Sequence, residues 1–174
     1  MQSAKDTFYE VLRTRVAAVN PERTVVVRGV SRPGVLVVEN ELDGPEEALD
    51  CFRLSWGDVQ VDSRGAMPMV SMACVVTYET AGTALNAGLD RGRMLSAMDG
   101  ELLAVLQQEP KKVLKSDYSA LEFGGSVTAK ETHVWWGDAS FGDVVVDEAR
   151  LRRTVKVELM SYQETPKSQE AGEL

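Results

Sequence analysis

Apolar residues near the start of the chain recur at the spacing of a single helix face. Steps of three or four residues separate the members of this stripe, which are Phe8, Leu12, Val16 and Val19. The stripe predicts an amphipathic helix over Ser3–Val19. Asn20 precedes a proline and is therefore pushed out of helical backbone, so the helix should end there.

A second and stronger helical pattern is predicted over Asn86–Gln108, with Asn86 as a plausible cap. Its apolar stripe consists of Leu95, Met98, Leu102, Val105 and Leu106. Gly88, Gly92 and Gly100 interrupt the pattern, and each costs about 1 kcal/mol relative to alanine in a helix. The glycines indicate either close packing against another backbone or simple tolerance on an exposed face.

The remaining apolar segments alternate with a period of two, which is typical of strands. The predicted strands are Thr24–Arg28 and Val35–Glu39 as a hairpin, Cys51–Asp62, Met69–Glu79, Thr132–Trp136, Val144–Asp147 and Leu151–Tyr162. The last strand alternates cleanly, as expected of an antiparallel or mixed sheet with one solvated face. Helices are few and do not alternate with strands, so the predicted class is α+β: a mixed, largely antiparallel sheet with two main helices packed on it.

Residues 1–163 form one predicted domain, and residues 164–174 form a flexible, polar tail. Two internal segments lack clear periodicity. Glu41–Asp50 is acidic and is expected to be a solvated loop. Lys111–Glu131 is long for a connector, and such segments are usually either disordered or functional.

Composition narrows the function classes. The chain has 174 residues, a hydrophobic fraction of 44% and a formal net charge of −8. Its basic residues are scattered, which disfavours a nucleic-acid binder. The acidity fits an ordinary solvated surface, or a surface that lies near DNA and must not adhere to it.

Compartment signals point to a soluble protein made in a reducing cytoplasm. The amino terminus has no apolar signal core, and no apolar run approaches the roughly 20 residues that span a bilayer. Cys51 and Cys74 lie in strand-like apolar runs, where free cysteines behave as small core residues. A bridge between them, or a reactive thiol, is the less favoured alternative.

No arrangement of residues predicts catalysis. The single histidine, His133, could pair with Asp138 as an acid–base element, but a strand histidine beside tryptophans is more often a packing residue. The sequence has no nucleophile elbow, no Cys-x-x-Cys and no spacing that supports a carboxylate metal site. We therefore predict no catalytic residue, no cofactor and no metal, and a protein that is not an enzyme.

Four residues are candidates for a subunit interface. Arg91 continues the apolar stripe of the second helix, where its stem could snorkel or its guanidinium could pair across an interface. Trp135 and Trp136 are adjacent in a strand, so they must face opposite sides and only one can enter the core. The other must cover a helix layer, a folded loop or a neighbouring subunit. Arg32, in the predicted hairpin, is the fourth candidate.

The chain resembles the tail terminator proteins of long-tailed bacteriophages and prophages. The resemblance extends over most of residues 4–163 and lies in the order and character of the elements. The segments that carry it are the opening helix KDTFYEVL, the hairpin TVVVRGVSRPGV, the block DRGRMLSAMDGEL and the closing strand RRTVKVEL.

The resemblance implies a virion protein without catalytic residues. Such proteins form a hexameric ring on the head-proximal end of the tail tube, stop tube polymerisation and present a joining surface to the neck or head. The implied partners are further copies of the chain, the tail tube protein and a neck or head-completion protein, and genomic DNA passes through the lumen without specific binding. The alternatives are another neck or head-completion adaptor, a carboxylate-dependent enzyme, or a monomeric ligand-binding module.

Overall fold

The computed structural model describes residues 1–40 and 48–164. Helix α1 is Gln2–Val19 and helix α2 is Arg91–Gln107, and short 3-10 helices occur at Val38–Asn40, Ala84–Asn86 and Ser119–Phe123. The strands are β1 Thr24–Val27, β2 Val30–Pro33, β3 Val35–Val37, β4 Phe52–Asp62, β5 Met69–Thr80, β6 Lys112–Asp117, β7 Thr128–Trp136, β8 Ser140–Phe141, β9 Val145–Asp147 and β10 Arg150–Tyr162.

The main sheet has the strand order β3-β4-β5-β10-β7-β6, and β8 and β9 also pair with β10. β3 and β4 are parallel, whereas the other pairs are antiparallel. β1 and β2 form a separate two-stranded hairpin. The predicted class is confirmed: a mixed, largely antiparallel sheet carries two main helices.

Both helices pack on one face of this sheet. Alternate residues of β5, from Val70 to Tyr78, are buried in the same cluster as the apolar stripes of α1 and α2. The neighbouring strand β10 contributes Val155, Val157 and Leu159 to that cluster. The predicted faces of both strands and of α2 are therefore confirmed, and that of α1 is confirmed for Phe8, Leu12 and Val16 but not for Val19, which is 47% exposed. We call the opposite side of the sheet the open face.

The two cysteines are free and buried, as predicted. Cys74 lies within the main core cluster. Burial raises the pKa of the Cys51 thiol to about 11. Both side chains therefore act as small core residues and not as reactive thiols.

The predicted hairpin between Thr24–Arg28 and Val35–Glu39 is wrong in its pairing. The chain turns at once at Arg28 and Gly29, which both have positive φ, so β1 pairs with β2 instead. This frees β3 to enter the main sheet beside β4. An arginine in the left-handed region leaves little trace in a sequence, which is why the early turn was not predicted.

The second helix begins later than predicted. Ala87 and Gly88 have positive φ and form part of a loop, so α2 starts only at Arg91. Asn86 belongs to the preceding 3-10 helix and does not cap α2. A Cβ added at Gly92 or Gly100 would meet no atom within 4 Å, so these glycines lie on an exposed face and make no close backbone contact.

The segment Lys111–Glu131 is structured. It contains β6, the 3-10 turn Ser119–Phe123 and the start of β7. The register of β6 against β7 shifts between Leu114 and Ser116, and this irregularity hides the alternation that would have predicted a strand. Most of the acidic segment Glu41–Asp50, like residues 165–174 of the predicted tail, lies outside the described residues.

Candidate interaction surfaces

A tightly bonded loop joins β5 to α2, and we call residues 80–90 the leucine loop. Its centre is Asp90, whose carboxylate accepts hydrogen bonds from Thr83 N at 2.9 Å, Thr83 Oγ1 at 2.8 Å and Asn86 Nδ2 at 3.2 Å. Hydrogen bonds from the Thr83 backbone, and then from its hydroxyl, lower the pKa of Asp90 to about 2. Gly82 and Gly88 supply the positive φ that lets the chain wrap around this carboxylate.

The leucine loop presents two apolar side chains to solvent. Leu85 is 94% exposed and Leu89 is 89% exposed. Val145 and Val146 of β9 are also exposed, and they lie at the same end of the sheet, because β9 and the last residues of β5 both pair with the start of β10. These exposed apolar side chains make this end of the sheet a candidate for a protein–protein contact.

Arg91 anchors this end of the molecule. Its Nε donates to Gly88 O at 3.1 Å, and its Nη1 donates to Glu148 O at 3.1 Å. The guanidinium therefore ties the leucine loop to the turn between β9 and β10. Both contacts are with backbone carbonyls of the same chain. Pairing of the Arg91 guanidinium with a carboxylate of another subunit remains a prediction.

The two adjacent tryptophans face opposite sides of the sheet, as predicted. Trp136 is only 4% exposed, and its Nε1 donates to Leu106 O at 3.1 Å. Trp135 lies on the open face, half-buried, with its ring 5.6 Å from that of Tyr162. Trp135 is therefore the member of the pair that has surface to offer a neighbouring molecule.

The open face also carries a cluster of arginines around one carboxylate. Glu79 lies 2.7 Å from Arg53 Nη2, 3.7 Å from Arg150 Nη1 and 3.9 Å from Arg152 Nη1. Three arginines therefore converge on one carboxylate on the open face. This cluster lies at the same end of the sheet as the leucine loop, because Glu79 is in register with Arg152 near the start of β10.

The four predicted interface residues do not form one cluster. Arg32 lies on β2, in register with Val25 and half-buried. Arg91 lies beside the leucine loop, Trp135 lies on the open face and Trp136 lies in the core. Leu85 and Leu89, which are far more exposed than any of the four, were not predicted. Two leucines within a segment rich in turn-forming residues, Gly82, Asn86 and Gly88, were the available signal.

The less favoured alternative for His133, an acid–base pair with Asp138, is not assembled. His133 lies on β7 opposite Leu114, whereas Asp138 accepts from Lys111 Nζ at 2.5 Å. Across residues 1–40 and 48–164, no group of three or more His, Cys, Asp or Glu side chains is placed to hold a metal ion. None of the helices described is both long and apolar enough to cross a membrane.

Similarity to known proteins is found among solved structures. No family model matches the chain, and no curated protein matches it. Among solved structures, a chain of the virion of a native gene transfer agent particle is similar over 90% of this chain and 91% of that chain, with 18% sequence identity and a TM-score of 0.36. A similarity of this size leaves the function to be inferred from the surfaces of the protein itself.

Proposed function

We propose that this protein is a structural component of a phage-like virion and that it acts as a tail terminator. Copies of the chain form a ring on the head-proximal end of the tail tube. The ring stops tube polymerisation and provides the surface to which the neck or the head binds. The sequence resemblance suggests this role, and the exposed leucine loop is the observation that carries it.

The leucine loop supports an assembly role because it is both apolar and preorganised. Full burial of one leucine side chain contributes roughly 1.5–3 kcal/mol. Asp90 and Arg91 already hold the loop in place through hydrogen bonds, so little conformational entropy is lost when a partner covers it. A ring repeats the same contact on every subunit, which multiplies a modest affinity.

A terminator must bind the tube at one face and offer the other face to a different partner. The sheet of this protein has chemically different ends. The leucine loop lies at the end where β10 begins, and the turn that contains Arg64 lies near the end where β10 finishes. We assign the leucine loop to the tube-facing end. A ring that stops tube growth must stay bound to the tube, and burial of apolar side chains stabilises such binding. The net charge of −8 suits a ring through which DNA slides without adhering.

Tube capping tests the proposal directly. Purified protein is mixed with polymerised tail tubes, and tube ends are imaged by electron microscopy. We expect density at one end only, and we expect further growth from that end to stop. In particles that lack the protein, tubes should be overlong. Tubes of normal length in its absence would refute the assignment, and binding to the neck alone would indicate an adaptor.

A further inference from the structure

Within residues 1–40 and 48–164, the outer part of the edge strand β4 pairs with a neighbouring strand on one side only. β3 covers β4 only over Phe52–Leu54. From Trp56 onward, β4 pairs with β5 alone among the residues described. We call Gly57–Asp62 the outer β4 segment. Its residues Val59 and Val61 are 43% and 59% exposed. A strand edge with exposed valines is prone to pair with another strand.

The opposite edge of the sheet is β6, and it borders a groove. Trp136 N donates to Lys111 O across the β6–β7 pair. In an antiparallel pair, successive residues direct their backbone N–H and C=O groups alternately toward and away from the partner strand. The backbone groups of Lys112 and Leu114 therefore point away from β7. On that side lies α1, and we call the space between them the α1–β6 groove. Its lining includes Thr7, Glu10, Arg15, Val113, Leu114 and Ser116.

Side chains of α1 bridge both ends of the groove. Ser116 N donates to Thr7 Oγ1 at 2.9 Å at one end, and Arg15 Nη2 donates to Pro110 O at 3.0 Å at the other. The backbone groups of Lys112 and Leu114 lie between these two contacts. A strand edge beside a helix is an arrangement that accepts an added extended segment through main-chain hydrogen bonds.

The outer β4 segment and β6 match in both charge and side-chain character. Gln60 is in register with Ser71 and lies on the open face, where Asp58 and Gln60 line the same cleft as Ser71 and Lys156. Lys112, which is opposite Trp135, also lies on the open face. Val59 and Val61 lie on the helix-bearing face, as does Val113. A sheet that continued from one edge to the other would place valines beside valine and an aspartate near a lysine.

Of the charged residues described on the outer β4 segment and at the start of β6, Asp58 and Lys112 have opposite charges and are available to another molecule. Lys111 is engaged by Asp138 at 2.5 Å, and Asp62 is engaged by Arg64 at 2.7 Å. Both Asp58 and Lys112 are exposed.

We propose that the outer β4 segment of one copy adds as a strand to β6 of the next copy, within the α1–β6 groove. The two edges differ, so each copy gives a strand on one side and receives one on the other. Such a head-to-tail contact closes into a ring. This inference rests on the proposed ring, for which it supplies the contact between subunits.

Charge reversal tests the pairing. Sedimentation velocity over a concentration series compares the wild-type chain with Asp58→Lys, Lys112→Glu and the double variant. We expect the wild type to associate, more strongly at low salt. Each single reversal should weaken association about tenfold or more, because it places like charges side by side. The double variant should recover most of the loss.

Matched controls reverse charges away from both edges. Arg93→Glu and Glu148→Lys change exposed residues of α2 and of the turn between β9 and β10, and we expect both to associate like the wild type. Circular dichroism confirms that every variant is folded. A chain shortened after Glu164 should also associate normally, because the proposed occupant is β4 and not the C-terminal segment.

Three outcomes would overturn the pairing. The first is a wild type that stays monomeric at the highest attainable concentration. The second is normal association of both single-reversal variants. The third is loss of association in the shortened chain alone. None of these decides tube capping, which is measured separately. A protein that caps tubes while both single reversals associate normally would keep the proposed function and lose this contact.

Discussion

Arg23 and Glu101 form a two-point ion pair that joins the segment before β1 to the middle of α2. Arg23 Nε lies 2.5 Å from Glu101 Oε2, and its Nη2 lies 2.8 Å from Oε1. The remaining donor, Nη1, reaches Asp50 O at 2.8 Å, and Asn20 Nδ2 donates to Glu101 at 2.8 Å. One guanidinium therefore connects three separate stretches of the chain.

Loss of this pair should be costly, because both side chains are largely buried, with exposures of 7% and 14%. Arg23→Met leaves the Glu101 carboxylate without its main partner, and breaking a buried pair in this way costs about 3–5 kcal/mol. We expect that decrease in the free energy of unfolding, measured by urea denaturation. Replacing both residues by methionine should restore much of it, since no charge is then left buried alone.

The matched control is Arg64→Ala, which removes a salt bridge to Asp62 in an exposed turn. We expect its stability to stay close to that of the wild type, because exposed pairs contribute little. Equal losses in Arg64→Ala and Arg23→Met would contradict the structural role assigned to the Arg23–Glu101 pair.

The same pair predicts a dependence of stability on pH. Burial by itself would raise the pKa of Glu101, but hydrogen bonds from Arg23 and Asn20 outweigh it, so the pKa lies below its ordinary value of 4.5. A lowered pKa means that the stabilisation is complete above 4.5 and is lost as the pH falls through the value in the folded state. Glu101→Gln lacks this contribution at every pH.

The measurement is the difference in unfolding free energy between wild type and Glu101→Gln, followed from neutral pH into the acid range. We expect the difference to be largest at neutral pH and to shrink below 4.5. A difference that stays constant over the whole range would show that the Glu101 charge does not contribute to stability.

Substitution of the two adjacent tryptophans should lower the stability of the fold to different extents. Trp136→Ala removes a core ring that packs 5.3 Å from Phe8, and such a change costs about 3–5 kcal/mol. Trp135→Ala removes a half-buried ring from the open face and should cost clearly less. If Trp135 contacts a neighbouring subunit, its replacement should weaken association instead, as measured by sedimentation. Equal destabilisation by both changes would contradict the two-sided placement.

Much of the fold could be predicted from side-chain periodicity. Met69–Thr80 and Arg150–Tyr162 are long, clean alternations, so their faces followed directly from the sequence. The same rule separated Trp135 from Trp136. Two departures have a common cause, because the turn at Arg28 and the irregularity of β6 after Leu114 are backbone events that side-chain patterns do not record.

The candidate surfaces were harder to predict for a different reason. Leu85 and Leu89 lie in a loop, where no periodicity marks which apolar residues face solvent. Their exposure depends on Asp90 folding the loop around its own carboxylate, a contact that only the three-dimensional arrangement reveals. The α1–β6 groove likewise requires two elements from distant parts of the chain to lie side by side.

Replacement of the two exposed leucines separates assembly from folding. Leu85→Ser with Leu89→Ser removes side chains that contact mainly solvent, so the free energy of unfolding should change by less than about 0.5 kcal/mol. If a tail tube covers both leucines, their loss should weaken binding to tube ends about a hundredfold, which corresponds to the lower limit of burial energy for two leucines. Binding is measured by counting capped tube ends in electron micrographs over a range of protein concentrations.

The matched control is Phe123→Ser, which removes an 88% exposed ring at the opposite end of the sheet and should leave tube binding unchanged. Full capping by the leucine variant would remove the leucine loop from the tube-facing end, and loss of capping only in Phe123→Ser would reverse the orientation of the ring.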